Sequence, residues 1–269
     1  MLIMLNTLII IVMSFNIRLD IQSDGINSWD NRKDILIDLL KEYSPDFLGM
    51  QEVRKNQLVY LKEKLSEYDY IGISRSEDVE DEHSPIFFKK DKFSLISSNT
   101  FWLSETPDKS SKGWDAAFNR IVSWGKFKEM KSDKILFVFN THFDHIGLRA
   151  RMESVKLLKK KIAEITGNED YIVTGDFNFD PNSDFYKLIT SKENSEIALI
   201  DVSQSDETTR KNIKPTFNGF DLQNRIIGPI DFIFAKPNIS VQEYKVIDTL
   251  YKGRFPSDHF PIIAKLIFN

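Results

Sequence analysis

Carboxylates, carboxamides and histidines recur in this chain where apolar runs end. "IIIVMSF" leads into Asn16, "DFLGMQ" into Glu52, "ILFVFNT" into His142 and "GPI" into Asp231, while "YIVTGDFN" carries Asp176 and Asn178. Near the C-terminus, "FPSDHFPI" holds Asp258 and His259 between two prolines, which fix φ and stiffen the backbone on both sides. Taken alone, a strand-end Asp or Asn is most often a turn former or helix cap, and a lone His is most often a satisfied structural residue. Repetition at successive strand ends points instead to one shared sheet edge, where α/β proteins build sites.

The types in this set narrow the chemistry. The chain has no cysteine, which removes disulfides, thiol nucleophiles and Cys-bound zinc. Carboxylates and carboxamides without thiolates suit a hard, oxygen-ligated cation, Mg²⁺, Mn²⁺ or Ca²⁺. Histidines beside such an ion suit proton transfer or the stabilisation of developing charge. No HExxH, GxSxG or GxxxxGK[ST] pattern is present, so zinc proteolysis, serine hydrolysis and P-loop chemistry lack support. A formal charge of −4 gives no global attraction to nucleic acid or anionic membrane, though a metal could still supply local positive charge for a phosphate.

These residues need elements to position them. Hydrophobic residues at 41 % and 21 phenylalanines supply a substantial core, and no linker or repeat divides the 269 residues, so a single domain over 1–269 is expected. The patterns predict a strand over about 9–16, helices over about 31–43 and 55–67, and a strand at 45–53. Strand-like runs then follow ("YDYIGIS", "PIFFKK", "FSLISSNTFWLS", "RIVSWGKFKEM", "KILFVFNTHF"). A helix over about 149–165, the strand "YIVTGDFN", a helix capped near Asn182 or Ser183 and four further strand-like runs complete the chain. Strands dominate without regular βαβ alternation, so an α+β class with two packed sheets and outer helices is expected. Lys156, Lys159, Lys160 and Lys161 read as a solvated helix face. The apolar N-terminus is too short to span a bilayer, at well below ~18 residues, and lacks a basic region and cleavage site. It reads as a buried first strand, with a cytoplasmic monomer as the expectation.

"MSFNIR", "MQEV", "NTHFDH", "GDFN", "IDFIF" and "SDHFPI", in that order over about residues 11–266, resemble the endonuclease/exonuclease/phosphatase superfamily. "HSPIFFKKDKF", "FWLSETPD" and "GWDAAFNRIVSW" are similar to a bacterial subgroup of it. The resemblance implies a DNase I-like four-layer α/β/β/α sandwich and a Mg²⁺-dependent phosphoesterase, with Mn²⁺ able to substitute. Under it, Glu52, Asn16 and Asp258 would hold the metal, while Asp176 and Asn178 would orient water and the scissile phosphate. His259 would be the catalytic histidine, with Asp231 fixing its tautomer. His142 would be the second phosphate-side histidine, with Glu82 as its carboxylate partner. Arg120 is a candidate phosphate clamp, since a guanidinium offers two parallel donors. His145 reads as a supporting residue and His83 as solvent-exposed. Trp102, Trp114, Phe217 and Phe220 are candidates for a stacking wall. Arg18 stands where AP endonucleases carry an acid, which argues against AP-site cleavage. The expected partner is a phosphate ester, either a small molecule or nucleic acid, and the alternative is a catalytically silent binding module of the same fold.

Overall fold

β-Branched residues crowd the first strand, and β1 (Leu8–Asn16) is correspondingly central rather than marginal. The structure, a computed structural model, describes residues 7–192, 197–205, 214–221 and 228–268. Residues 1–6, on which much of the apolar N-terminal run falls, lie outside them. Among the described residues no helix is long and apolar enough to cross a membrane.

From β1 the chain passes through a 3₁₀ turn (Gln22–Asn27) into α1 (Trp29–Tyr43) and returns as β2 (Phe47–Gln51), parallel to β1. Parallel pairing requires such a crossover, because a tight turn can only reverse a strand. Next come α2 (Lys55–Lys64), β3 (Tyr68–Ile71), β4 (Ile86–Lys89), β5 (Phe93–Trp102), β6 (Ile121–Glu129) and β7 (Ile135–His142). A second crossover, α3 (Leu148–Thr166), leads to β8 (Asp170–Asp176), parallel to β7. After α4 (Asp184–Thr190) come β9 (Ile200–Asp201), β10 (Asp231–Ala235), β11 (Ser240–Val246) and β12 (Ile262–Phe268).

The strands form two six-stranded sheets, in the orders β11-β12-β1-β2-β4-β3 and β5-β6-β7-β8-β10-β9. Each has one parallel pair at its centre and antiparallel neighbours outside it. Phe47, Phe88, Phe127, Ile172, Ile233 and Ile262 fill the space between the sheets. Leu36 and Leu39 of α1 and Leu61 of α2 cover Met13, Phe15 and Met50 on the outer face of the first sheet. Val155, Leu158 and Ile162 of α3, with Leu188 and Ile189 of α4, cover Phe137, Phe139 and Phe232 on the second. The result is the four-layer α/β/β/α sandwich expected from the sequence.

The expected strands and helices all recur, displaced by a few residues at their ends. Ser183 caps α4, its Oγ accepting from the Tyr186 backbone N–H at 3.2 Å. One reading needs correction. Lys156 and Lys160 do face solvent, but Lys159 is 1 % exposed and donates to the carbonyls of Leu188 (2.8 Å) and Ser191 (2.6 Å). It joins α3 to the C-terminal end of α4, and a buried ammonium is tolerated there because carbonyls replace its water.

Candidate active site

The two central parallel pairs end at one edge. Asn16 closes β1 in register with Gln51 of β2, and His142 closes β7 in register with Asp176 of β8. Asp231 opens β10 opposite Asp176, because β10 runs antiparallel to β8. Asp258 and His259 precede β12 on the same side. These residues line, or lie directly beneath, a cleft of about 480 Å³.

Backbone strain marks the edge. Glu52 (φ 61°), Asn178 (φ 51°) and Arg18 (φ 59°) all occupy the left-handed region, which non-glycine residues rarely adopt. Such conformations cost ~1–3 kcal/mol each and persist where surrounding contacts over-determine them. Those contacts are present. The Asn16 Nδ2 group donates to Glu52 Oε1 and to Asp176 Oδ2, both at 3.0 Å, and so bridges the two sheets. Leu19 N–H donates to Glu52 Oε2 at 3.1 Å. Asn178 N–H donates to Asp176 Oδ1 at 3.0 Å, and its amide donates to the Phe143 carbonyl at 3.0 Å.

His259 is 5 % exposed, and its Nδ1 lies 2.9 Å from Asp231 Oδ2. Burial alone would lower its pKa, but the Asp231 charge and hydrogen bond, with Asp176 and Asp258 nearby, push it up to about 10. His142 behaves oppositely. Burial, then the charges of Arg120 and His259, hold it well below the usual histidine value, so its imidazole is neutral. Burial and the neighbouring Asp231 charge raise Asp176 to about 7. Its Oδ2 lies 3.5 Å from His142 Nε2 and 3.8 Å from His259 Nε2. Burial also raises Asp258 and Glu82 above ordinary carboxylates. For Glu52 burial works in the same direction, but the His259 charge and the donors Asn16 and Leu19 prevail and hold it low.

The remaining sequence-predicted residues lie close by, with differences. Glu82 Oε2 is 4.0 Å from His142 Nδ1, beyond hydrogen-bond reach, and is paired more tightly with Arg75 at 2.9 Å. Among the described residues, neither His142 Nδ1 nor Asp231 Oδ1 has a hydrogen-bond partner. Arg120 is 5 % exposed; it donates to His145 Nδ1 at 3.1 Å and lies 3.5 Å from Asp144. His145 is exposed and lines the cleft. His83, expected in solvent, is 7 % exposed, because its backbone bridges Val53 and Ser74 and its Nδ1 lies 3.2 Å from the Val53 carbonyl. Of the four candidate aromatics, Phe217 meets His259 edge-on at 5.1 Å. Trp102 is buried and donates to the Arg75 carbonyl, and Trp114 lines a separate groove against α3. Sequence reasoning passed over Arg75 and Phe118, both in the cleft lining. Phe118 sits two residues before Arg120, the only signal available for it.

Two mixed six-stranded sheets with converging carboxylates and histidines define a DNase I-like protein. Residues 13–259 match the Endonuclease/Exonuclease/phosphatase family, and the chain belongs to it. Members of the family are phosphoester hydrolases and generally depend on a divalent metal. An endonuclease/exonuclease/phosphatase family protein from Bacteroides thetaiotaomicron is 37 % identical and superposes with a TM-score of 0.90, over 98 % of this chain and 99 % of that one. A mannosyl-6-phosphatase from the same organism is 36 % identical with a TM-score of 0.87, over 96 % of this chain and 100 % of that one. The protein L388 of Acanthamoeba polyphaga mimivirus is 33 % identical over 90 % of this chain and 93 % of its own length. Other curated relatives are longer, and the chain spans 42 % and 37 % of two of them.

Proposed function

We propose that this chain is a divalent-metal-dependent phosphoesterase whose substrate is a small phosphorylated molecule, a sugar phosphate in the first instance. The observation that carries it is the meeting of Glu52, Asp176, His142 and the His259–Asp231 pair at one sheet edge. The small-molecule part is supported by the 36 % identity to a mannosyl-6-phosphatase across 96 % of this chain, and by a formal charge of −4 that offers a nucleic acid no general attraction.

The residues fit a hard divalent cation. Glu52 and Asp258 are oxygen donors, burial raises Asp258, and the Glu52 charge raises it further, an arrangement that a cation would relieve. Asp176, Asp231 and His259 also lie close together, with one ligand atom of each within 4.8 Å of the others. They suit a metal less well, because a histidine raised to about 10 keeps its proton at neutral pH and has no lone pair to offer. Glu52 and Asp258, with Asn16 beside them, would therefore hold the ion, which supplies charge stabilisation at phosphorus and at the leaving oxygen.

The chain's own groups divide the rest. His259, protonated and held by Asp231, donates from Nε2 to a phosphoryl oxygen. Neutral His142 supplies a further hydrogen bond without adding charge. Asp176 ionises near pH 7, and with Asn178 it orients the attacking water and accepts its proton in an in-line displacement.

The test is hydrolysis of mannose 6-phosphate, other hexose phosphates, bis(p-nitrophenyl) phosphate, RNA and DNA with Mg²⁺ or Mn²⁺. Turnover of the hexose phosphates, abolished by EDTA, is expected. Glu52→Ala and His259→Ala should each lower kcat by roughly 10²–10⁴-fold. Metal-independent turnover, or full activity in His259→Ala, overturns the mechanism; preferential turnover of RNA or DNA overturns the substrate class.

A further inference from the structure

Phe118 is 48 % exposed, the most exposed Phe, Tyr or Trp among the described residues, yet it lines a cleft whose other walls are largely charged. Leaving a phenyl ring in water forfeits the ~25 cal/mol per Å² that covering it would return. The ring is also held firmly. His145 stacks on it with centroids 6.1 Å apart and planes at 17°. The guanidinium of Arg75 lies 4.9 Å from its centroid and that of Arg120 lies 6.0 Å away, both within cation–π range. Those cations are fixed in turn, Arg75 by Asp81 (3.0 Å) and Glu82 (2.9 Å), and Arg120 beside Asp144.

The loop that carries Phe118 is anchored after the ring by Asn119 Nδ2, which donates to the Arg75 carbonyl at 3.2 Å, and before it by two further bonds. Asp115 accepts from the Ala150 backbone N–H at 2.6 Å and so caps α3, which has no side-chain cap of its own. Ala117 N–H donates to Asp144 Oδ1 at 3.0 Å. The ring is thus a preorganised flat surface beside Arg120 and His145, in the same cleft as His142, Asp176 and His259.

We infer that Phe118, backed by His145 and Arg75, is a specificity-determining platform on which a ring of the substrate's alcohol portion lies flat while its phosphate meets His142 and His259. The inference rests on the reading of this cleft as the phosphoryl site. The ligand chemistry is a ring with an apolar or π face, either the C–H face of a pyranose or a nucleobase. Both stack on phenyl, whereas a short open-chain alcohol cannot.

Calorimetric binding of mannose 6-phosphate, AMP, glycerol 3-phosphate and inorganic phosphate, in wild type, Phe118→Ala and Phe118→Tyr, tests it. Wild type is expected to bind one of the two ring-bearing esters more tightly than glycerol 3-phosphate, and which one identifies the ring. Phe118→Ala should erase that preference by about tenfold, the scale of one stacked ring, with inorganic phosphate changed less than about twofold. Phe118→Tyr, which keeps the flat face, should restore it. No ring preference in wild type, or a loss in Phe118→Ala that is equal for inorganic phosphate, overturns the platform. Hydrolysis of the hexose phosphates with Mg²⁺ by wild type is read separately. Its absence would count against the phosphoesterase reading, while the binding ratios would still judge Phe118.

Discussion

His259 is held protonated by the charges of its neighbours. Burial favours the neutral ring, and Asp231 at 2.9 Å, with Asp176 and Asp258, outweighs burial and raises the group from 6.5 to about 10. Because the folded pKa lies above the unfolded one, the pair's contribution to stability is full below pH 6.5 and is lost as pH rises towards about 10. Asp231→Asn removes the carboxylate and should cost about 3 kcal/mol at neutral pH, the scale of a broken buried pair. In EDTA, the Tm difference between wild type and Asp231→Asn should be largest near pH 6.5 and narrow steadily to pH 10. A difference that stays constant across that window would show that His259 is not charged by Asp231. The sequence displayed both residues of this pair and gave no hint of the proton, since their separation of 28 positions closes only when β10 and the segment before β12 reach the same edge.

At the level of elements, hydrophobic period and turn residues located nearly every strand and helix, because the helices bury one face and keep a helical period, while the central strands, covered on both faces, stand out as short unbroken apolar runs between turn residues. The 3₁₀ turn Gln22–Asn27, broken at Gly25 (φ 55°), escaped notice because its residues bury nothing. The role of α1 escaped as well. Arg32 reads as a surface charge on an amphipathic helix but is 1 % exposed, and its guanidinium donates to the carbonyls of Ile17, Arg18, Leu19, Asn27 and Pro256. It thereby ties the loop whose Leu19 N–H holds Glu52 to the segment that presents Asp258. Burial lowers its pKa to about 10, leaving it charged at neutral pH. Arg32→Lys retains the charge but has three donors for five acceptors. It should raise the Mg²⁺ concentration for half-maximal activity by about tenfold, with kcat largely recovered at saturating metal. If Arg32 only stabilised the fold, the yield of active protein would fall and the Mg²⁺ dependence would not move.

Across the whole molecule, the feature least visible in the sequence is the polar seam beneath the site, where two apolar sheets meet through side chains that period alone assigns to strand interiors. Asn140 of β7 accepts at Oδ1 from Gln51 Nε2 (2.7 Å) and Thr174 Oγ1 (3.0 Å), and donates to the carbonyls of Met50 (2.6 Å) and Pro85 (3.0 Å). Gly49 lets the sheets approach that closely, since a Cβ there would lie 2.0 Å from Thr174 Oγ1 and 2.6 Å from Asn140 Oδ1. Polar networks of this kind, here with Gln51 Oε1 unpartnered among the described residues, fix the relation of two layers that hydrophobic contact alone leaves free to slide. Here that relation decides whether Asn16 of one sheet reaches Asp176 of the other. Gly49→Ala must push the sheets apart or break the Thr174–Asn140 bond, and should cost about 3 kcal/mol by overpacking and lost hydrogen bonding. Thr174→Ala should cost about 1 kcal/mol alone yet recover part of the Gly49→Ala loss in the double variant, since it removes the atom the new methyl strikes. Urea denaturation of the four proteins gives the coupling directly. Additive losses would mean that Gly49 and Thr174 do not meet across the seam.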